Sequence, residues 1–156
     1  MNQKIPLEHH NLLFVHSEGL GDLITFRNHY KSVICYCHTP LKIVNDPFAM
    51  DQYIKRNPKK ALLLNIFGKV FQKIDLLAWK NYTHVFATSK TVKSRILKAK
   101  LCNEKIIEIL QPGVDCTVMT PSWSYKKYFL LLTRIKWWKN VELAIEGFKK
   151  FRQCNL

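Results

Sequence analysis

The sequence predicts an α/β protein. Apolar, β-rich runs alternate with helix-period stretches along the chain, the pattern of strands joined through helices. The last such run, Tyr128-Phe129-Leu130-Leu131-Leu132, leads into a basic loop and then an amphipathic stretch, Asn140 to Lys150. Continuous apolar runs are typical of parallel strands buried on both faces, and ligands of open α/β sheets sit beyond the carboxyl ends of such strands. At 156 residues and 47% hydrophobic, the chain can hold one ordinary domain or parts of two.

Taken in order, Leu12-Leu13-Phe14-Val15 is a strand that ends at His16-Ser17-Glu18-Gly19-Leu20-Gly21-Asp22. Val33-Ile34-Cys35-Tyr36-Cys37 is the next, ending at His38-Thr39-Pro40. Lys59 to Trp79 has apolar residues at mixed helical spacing, which predicts one or two helices. His84-Val85-Phe86-Ala87 is a short strand, after which Ser89 caps a helix from Lys90 to Lys100. Val92, Ile96 and Leu97 form one face of that helix, and Lys93, Arg95, Lys98 and Lys100 the other.

A further strand, Ile106 to Leu110, ends at Gln111-Pro112-Gly113-Val114-Asp115. Cys116 to Lys127 has no periodicity and reads as a linker. The closing strand–loop–helix unit follows, with Asn140 as a cap and Val141, Ala144, Ile145 and Phe148 as the buried face. One βα unit cannot bury both its faces, so a second domain is expected to continue beyond this sequence.

Lys and Arg number 25 against 11 Asp and Glu, a net charge of +14. Such an excess implies polyanionic partners without choosing among phosphates, anionic lipid and nucleic acid. The N-terminal stretch is polar, without the apolar core of a secretory signal. No apolar run approaches the roughly 20 residues of a membrane span. With five cysteines, reduced thiols in a cytoplasmic protein are the simplest expectation. A peripheral stay at the inner membrane face is compatible with the basic helix Lys90 to Lys100, although its lysines could equally be solvated.

Arg134 and Lys139 are fixed cations in the loop beyond Leu132. Arg grips phosphate oxygens as a fork and Lys adds a compact charge, a combination that suits a diphosphate. A solvated basic loop is the plainer reading. His38 ends a strand at a Pro turn, where α/β proteins place functional side chains, and it could also simply bond the loop backbone. Ser89 could offer its hydroxyl to a ligand, but its ordinary role is the helix cap. Glu18-Gly19-Leu20-Gly21 is too short for a phosphate-binding fingerprint and reads as a tight turn. Cys35, Cys37 and His38 lack a second ligand pair for zinc, so no metal is expected. Trp137 and Trp138 could stack on a base or sugar, or cover an interdomain surface.

Several segments, in this order, resemble retaining nucleotide-sugar glycosyltransferases of the GT-B fold, the group 1 or family 4 type. They are Cys35-Tyr36-Cys37-His38-Thr39-Pro40, Ala87-Thr88-Ser89-Lys90-Thr91-Val92-Lys93-Ser94-Arg95-Ile96 and Gln111-Pro112-Gly113-Val114-Asp115. Leu132-Thr133-Arg134-Ile135-Lys136-Trp137-Trp138-Lys139-Asn140-Val141 and Leu143-Ala144-Ile145-Glu146-Gly147-Phe148 complete the set. The resemblance runs from about His16 to Phe151. It lacks the family's first strand, its glycine-rich turn and its E-x7-E carboxylates, so the sequence looks like the middle of an enzyme.

The resemblance implies a Rossmann-like acceptor-side domain over residues 1–115, a linker over 116–127 and the start of a donor-binding domain over 128–156. It implies transfer of a sugar from a nucleotide-sugar to an acceptor hydroxyl with retention, as in polysaccharide or lipid-linked glycan synthesis. Arg134 and Lys139 would stabilise the departing diphosphate. His38 would contact the transferred sugar or the acceptor, with Ser89 and Glu18 as further substrate contacts. No cofactor or metal is implied; the nucleotide-sugar is a substrate.

Two other readings compete. One is a non-catalytic remnant that binds a nucleotide or a complementary chain. The other is nonspecific nucleic-acid binding through net charge, which lacks both a known motif and a stacking platform.

Overall fold

The computed structural model describes residues 4–6, 8–29, 31–124, 126, 128–136 and 139–154. The chain divides into two compact units, Met1–Val114 and Asp115–Leu156.

The first unit is an α/β domain of Rossmann-like character. Its strands are β1 (Leu12–Ser17), β2 (Ser32–Cys37), β3 (His84–Ala87) and β4 (Ile107–Ile109). All pair in parallel, in the order β1-β2-β3-β4. A 3-10 helix, Leu20–Phe26, follows β1. Between β2 and β3 lie α1 (Lys42–Asn45), α2 (Pro47–Arg56) and α3 (Ala61–Trp79), and α4 (Lys90–Lys98) joins β3 to β4.

Alternation along the strands sorts residues onto two faces. Val15, Val33, Cys35, Cys37, Val85, Ala87 and Ile107 point into the core, where they meet Trp79, Tyr82, Val92, Ile96 and Leu101. Full burial of Ile96 contributes about 2 kcal/mol to this packing. The opposite face carries Leu12, Phe14, His16, Tyr36, His38, His84 and Phe86, none of them fully buried. The asymmetry follows from the strand order. In a sheet of sequential order, right-handed crossovers carry each connection over the same side.

Each element has a local cause. Ser89 takes an extended conformation and accepts the Val92 N–H at 3.2 Å, which starts α4. Asp46 does the same for α2, accepting from the N–H groups of Phe48 and Ala49, and Pro47 fills the first helical position. Lys59 to Trp79 resolves into one α-helix after a short 3-10 turn, Pro58–Lys60. Gly68 within α3 sits against Met50, whose Cε would lie 3.5 Å from an added Cβ.

The second unit departs from expectation in two ways. The Tyr128–Leu132 run forms no strand, and its side chains are exposed rather than buried, Leu132 at 91%. A strand is held by a neighbour's backbone, and no described residue supplies one. The face of α5 (Val141–Cys154) expected to be buried is also open: Ile145 is 51% exposed and Phe148 42%. The two apolar segments touch each other, with Phe129 packed edge-on against Phe148 and Phe151. They line an open apolar groove of about 700 Å³ between residues 129–131 and α5. Asn140, expected to cap this helix, lies at a φ of 48°. Its carbonyl accepts the Ala144 N–H at 3.4 Å.

Residues 116–124 have no regular structure beyond a turn at 116–118, where Asp115 accepts the Thr117 N–H and hydroxyl at 2.9 and 2.6 Å. These bonds hold the Asp115 carboxyl below its ordinary range.

Candidate functional site

Three residues singled out in the sequence come to the same end of the sheet. Glu18 follows β1, His38 follows β2, and Ser89 stands two residues beyond β3. The register aligns the strand ends, pairing Ser17 with Cys37 and Cys37 with Ala87. These are the carboxyl ends of three adjacent parallel strands, where open α/β sheets hold ligands.

The loop backbones are tied to one another. The His38 N–H donates to the Ser17 carbonyl at 3.0 Å, and the Thr88 N–H to the Cys37 carbonyl at 3.3 Å. The Thr88 hydroxyl donates to the His38 carbonyl at 3.4 Å. The His38 ring lies 5.8 Å from the His16 ring and meets Tyr36 edge-on at 5.1 Å. His38 is half-buried and its imidazole borders the open sheet face. Ser89 is half-buried as well. Its oxygen is engaged as the cap, while its proton is free by chemistry to donate. Glu18 is exposed.

Gly19 has a steric reason to be glycine that needs no phosphate, whereas an added Cβ at Gly21 would meet only ordinary contacts. The φ of Gly19 is 98°, and an added Cβ there would meet the Leu41 Cδ1 at 2.9 Å and Cβ at 3.0 Å. The position needs glycine to make a tight turn against Leu41. Its N–H donates to the Ser17 hydroxyl at 3.3 Å.

Between the 3-10 helix after β1, α1, α3 and the residues just before β3 lies a buried polar cluster that sequence reasoning missed. The Tyr82 hydroxyl donates to Asp22 Oδ1. The Thr25 hydroxyl approaches the carbonyls of Asp22 and Ala78, each at 2.9 Å, and accepts from Asn81 Nδ2 at 3.2 Å. Asn45 Nδ2 donates to Asp75 Oδ2 at 3.4 Å. Asp22 Oδ2, Asp75 Oδ1 and Asn45 Oδ1 have no hydrogen-bond partner among the described residues. The Trp79 indole N–H acts on both carboxylates but makes no hydrogen bond of normal geometry.

Burial pushes both acids up. Asp22 rises because of burial, opposed by its bond from Tyr82. Asp75 reaches about 6, through burial first and the charge of Asp22 second. The Tyr82 hydroxyl is held well above its usual range, chiefly by burial. The Cys35 thiol is raised too, first by its hydrogen bond with Cys37 and then by burial. Cys35 and Cys37 share the core face, as their spacing implies, and both are fully buried. They behave as inert core residues. Among the described residues, no three His, Cys, Asp or Glu side chains gather in a metal-holding group.

Arg134 and Lys139 belong to the second unit and are exposed. Arg134 lies in an irregular segment, and the Lys139 N–H donates to the Lys136 carbonyl at 2.8 Å. Trp137 and Trp138, between them, lie outside the described residues. On α4, two of the expected surface cations are tied internally. Lys93 Nζ donates to the Ile107 carbonyl at 3.3 Å and lies 3.8 Å from Glu104. Arg95 pairs with Asp46 at 3.5 Å.

No protein-family model matches the chain, and neither a curated protein nor a solved structure matches it.

Proposed function

We propose that the chain is part of a retaining, GT-B-like glycosyltransferase that moves a sugar from a nucleotide-sugar to an acceptor hydroxyl. The observation that supports this most is the gathering of Glu18, His38 and Ser89 at the carboxyl ends of three adjacent parallel strands. The ordered motifs that contain two of these residues, together with Arg134 and Lys139, favour the same reading. In it, His38 touches the sugar or acceptor, and Glu18 and Ser89 add polar contacts. Arg134 and Lys139 hold the diphosphate as negative charge grows on it, so the reaction needs no metal.

Titration of the chain with uridine and guanosine diphosphates tests this. Binding is expected to favour one base. Replacing Arg134 with Ala should weaken it by about tenfold or more, the worth of a charge-assisted contact. Affinity unchanged in that variant overturns the assignment of Arg134.

A second reading, a non-catalytic partner of a complementary chain, is favoured by a different observation. Among the described residues, β1 pairs on one side alone, and the apolar side chains of Phe129, Leu130 and Ile145 in the second unit are more than half exposed. Absence of nucleotide binding by a folded chain would favour this reading.

A further inference from the structure

We propose that the outward face of α3 seats on an anionic membrane surface, with the helix lying in the plane of the interface. This stands on α3 alone and does not need the glycosyltransferase reading.

The inner face of α3 is used by the fold, with Asp75, Ala78 and Trp79 buried. Helical spacing throws a second apolar set outward. Leu63, Ile66, Val70, Ile74 and Leu77 recur at steps of three and four residues and so share one stripe. Their exposures are 57, 55, 51, 38 and 52%. Phe67, at the flank of the stripe, is 62% exposed. It borders an apolar cavity of about 200 Å³ lined also by Leu41, Val44, Met50, Leu64 and Phe71.

Cations accompany this stripe on one side. Lys69, Lys73 and Lys80 fall on a neighbouring row, and all three are exposed. Among the described residues none of them is held in an ion pair. The helix has one carboxylate, Asp75, and it faces inward. Outward charge on α3 is therefore positive throughout.

That combination selects the occupant. An apolar stripe edged by lysines fits a headgroup boundary, with aliphatic side chains below it and ammonium groups at the phosphates. A second copy presenting the same face would set lysine against lysine with no carboxylate to receive them. The net charge of +14 adds long-range attraction to an anionic surface. Among the described residues no helix is long and apolar enough to cross a membrane, so α3 would lie on the surface. The basic helix α4 is a poorer candidate. Its apolar residues Val92 and Ile96 are buried, and Lys93 and Arg95 are engaged within the fold.

The experiment is co-sedimentation of the full chain with phosphatidylcholine vesicles, with and without about 30% phosphatidylglycerol. Binding is expected for the anionic vesicles and should weaken as salt rises. Each lysine near such a surface is worth roughly fivefold, so K69Q/K73Q/K80Q should lose on the order of 100-fold. L63Q/I66Q/V70Q keeps charge and helix propensity and should also release the protein. Circular dichroism must show both variants as helical as the wild type. K90Q/K98Q/K100Q, on and just past α4, serves as the comparison and should lose less than the α3 lysine variant. Wild-type binding that survives in either folded α3 variant overturns the proposal. So does a wild-type chain that ignores anionic vesicles, whether or not it forms a dimer through this face.

Discussion

Replacing Asp75 with Asn changes one buried charge and little else, so its effect can be worked from the structure. Asp75 is fully buried on the inner side of α3. One of its oxygens accepts from Asn45 and the other has no partner among the described residues. Its carboxyl is displaced from 3.8 to about 6, by burial and then by the charge of Asp22. The folded protein therefore holds this proton more tightly than the unfolded chain does. Below pH 3.8 the carboxyl is neutral in both states and imposes no penalty. As pH rises toward 6 the stability contributed by the bound proton drains away, and above 6 the folded state bears the whole charge. A displacement of this size is worth about 3 kcal/mol.

The amide in D75N carries no charge and can still accept from Asn45. Urea unfolding near neutral pH should then show the variant more stable by about 2–3 kcal/mol, and unfolding near pH 4 should show the gap nearly closed. An equal difference at both pH values would refute the reasoning, because the effect would not follow the proton. A variant less stable near neutral pH would refute it more directly.

Other outcomes follow from the same geometry. Gly19→Ala should destabilise the first unit by about 1–3 kcal/mol in urea unfolding, since it meets Leu41 at a positive φ. Ser89→Ala should cost about 1 kcal/mol as a lost cap, and Ser89→Asp should restore most of it. If Ser89 also touches substrate, the Asp variant regains stability but not nucleotide-sugar binding, which calorimetry would separate.

The sheet was legible in the sequence where local and tertiary signals agree. Val33-Ile34-Cys35-Tyr36-Cys37 alternates a fully buried set with a partly open one, and β2 forms there. Ser89 followed by a helical apolar pattern locates the start of α4 to the residue. Of the three helices between β2 and β3, α1 and α2 were missed, although Asp46-Pro47 carries the signal for α2: a capping acid before a proline at the first position. Tyr128–Leu132 misled in the opposite direction. An apolar run reports a need for burial, not the presence of a neighbouring strand to pair with.

The candidate site divides along the same line. Glu18, His38 and Ser89 could be placed because each ends or follows a short β-rich run. Asp22, Asp75, Tyr82 and Thr25 could not, since their sequence separation is bridged only by packing. His16 and Tyr36 could have been found. Each lies two residues before a singled-out neighbour, Glu18 or His38, and the parallel register then brings their rings to 5.2 Å, tilted by 57°.

The sequential strand order also governs how the domain is assembled in time. Each strand pairs with the one made just before it, so the sheet can grow as the chain leaves the ribosome. Leu12 waits only for Ser32, and Val85 only for Ile107. The long interval falls between β2 and β3, where Val33 and Thr83 meet across 50 residues. Until α1, α2 and α3 have been made, β1 and β2 form a two-stranded ribbon of marginal stability. Closing that one loop is the step that should set the folding rate.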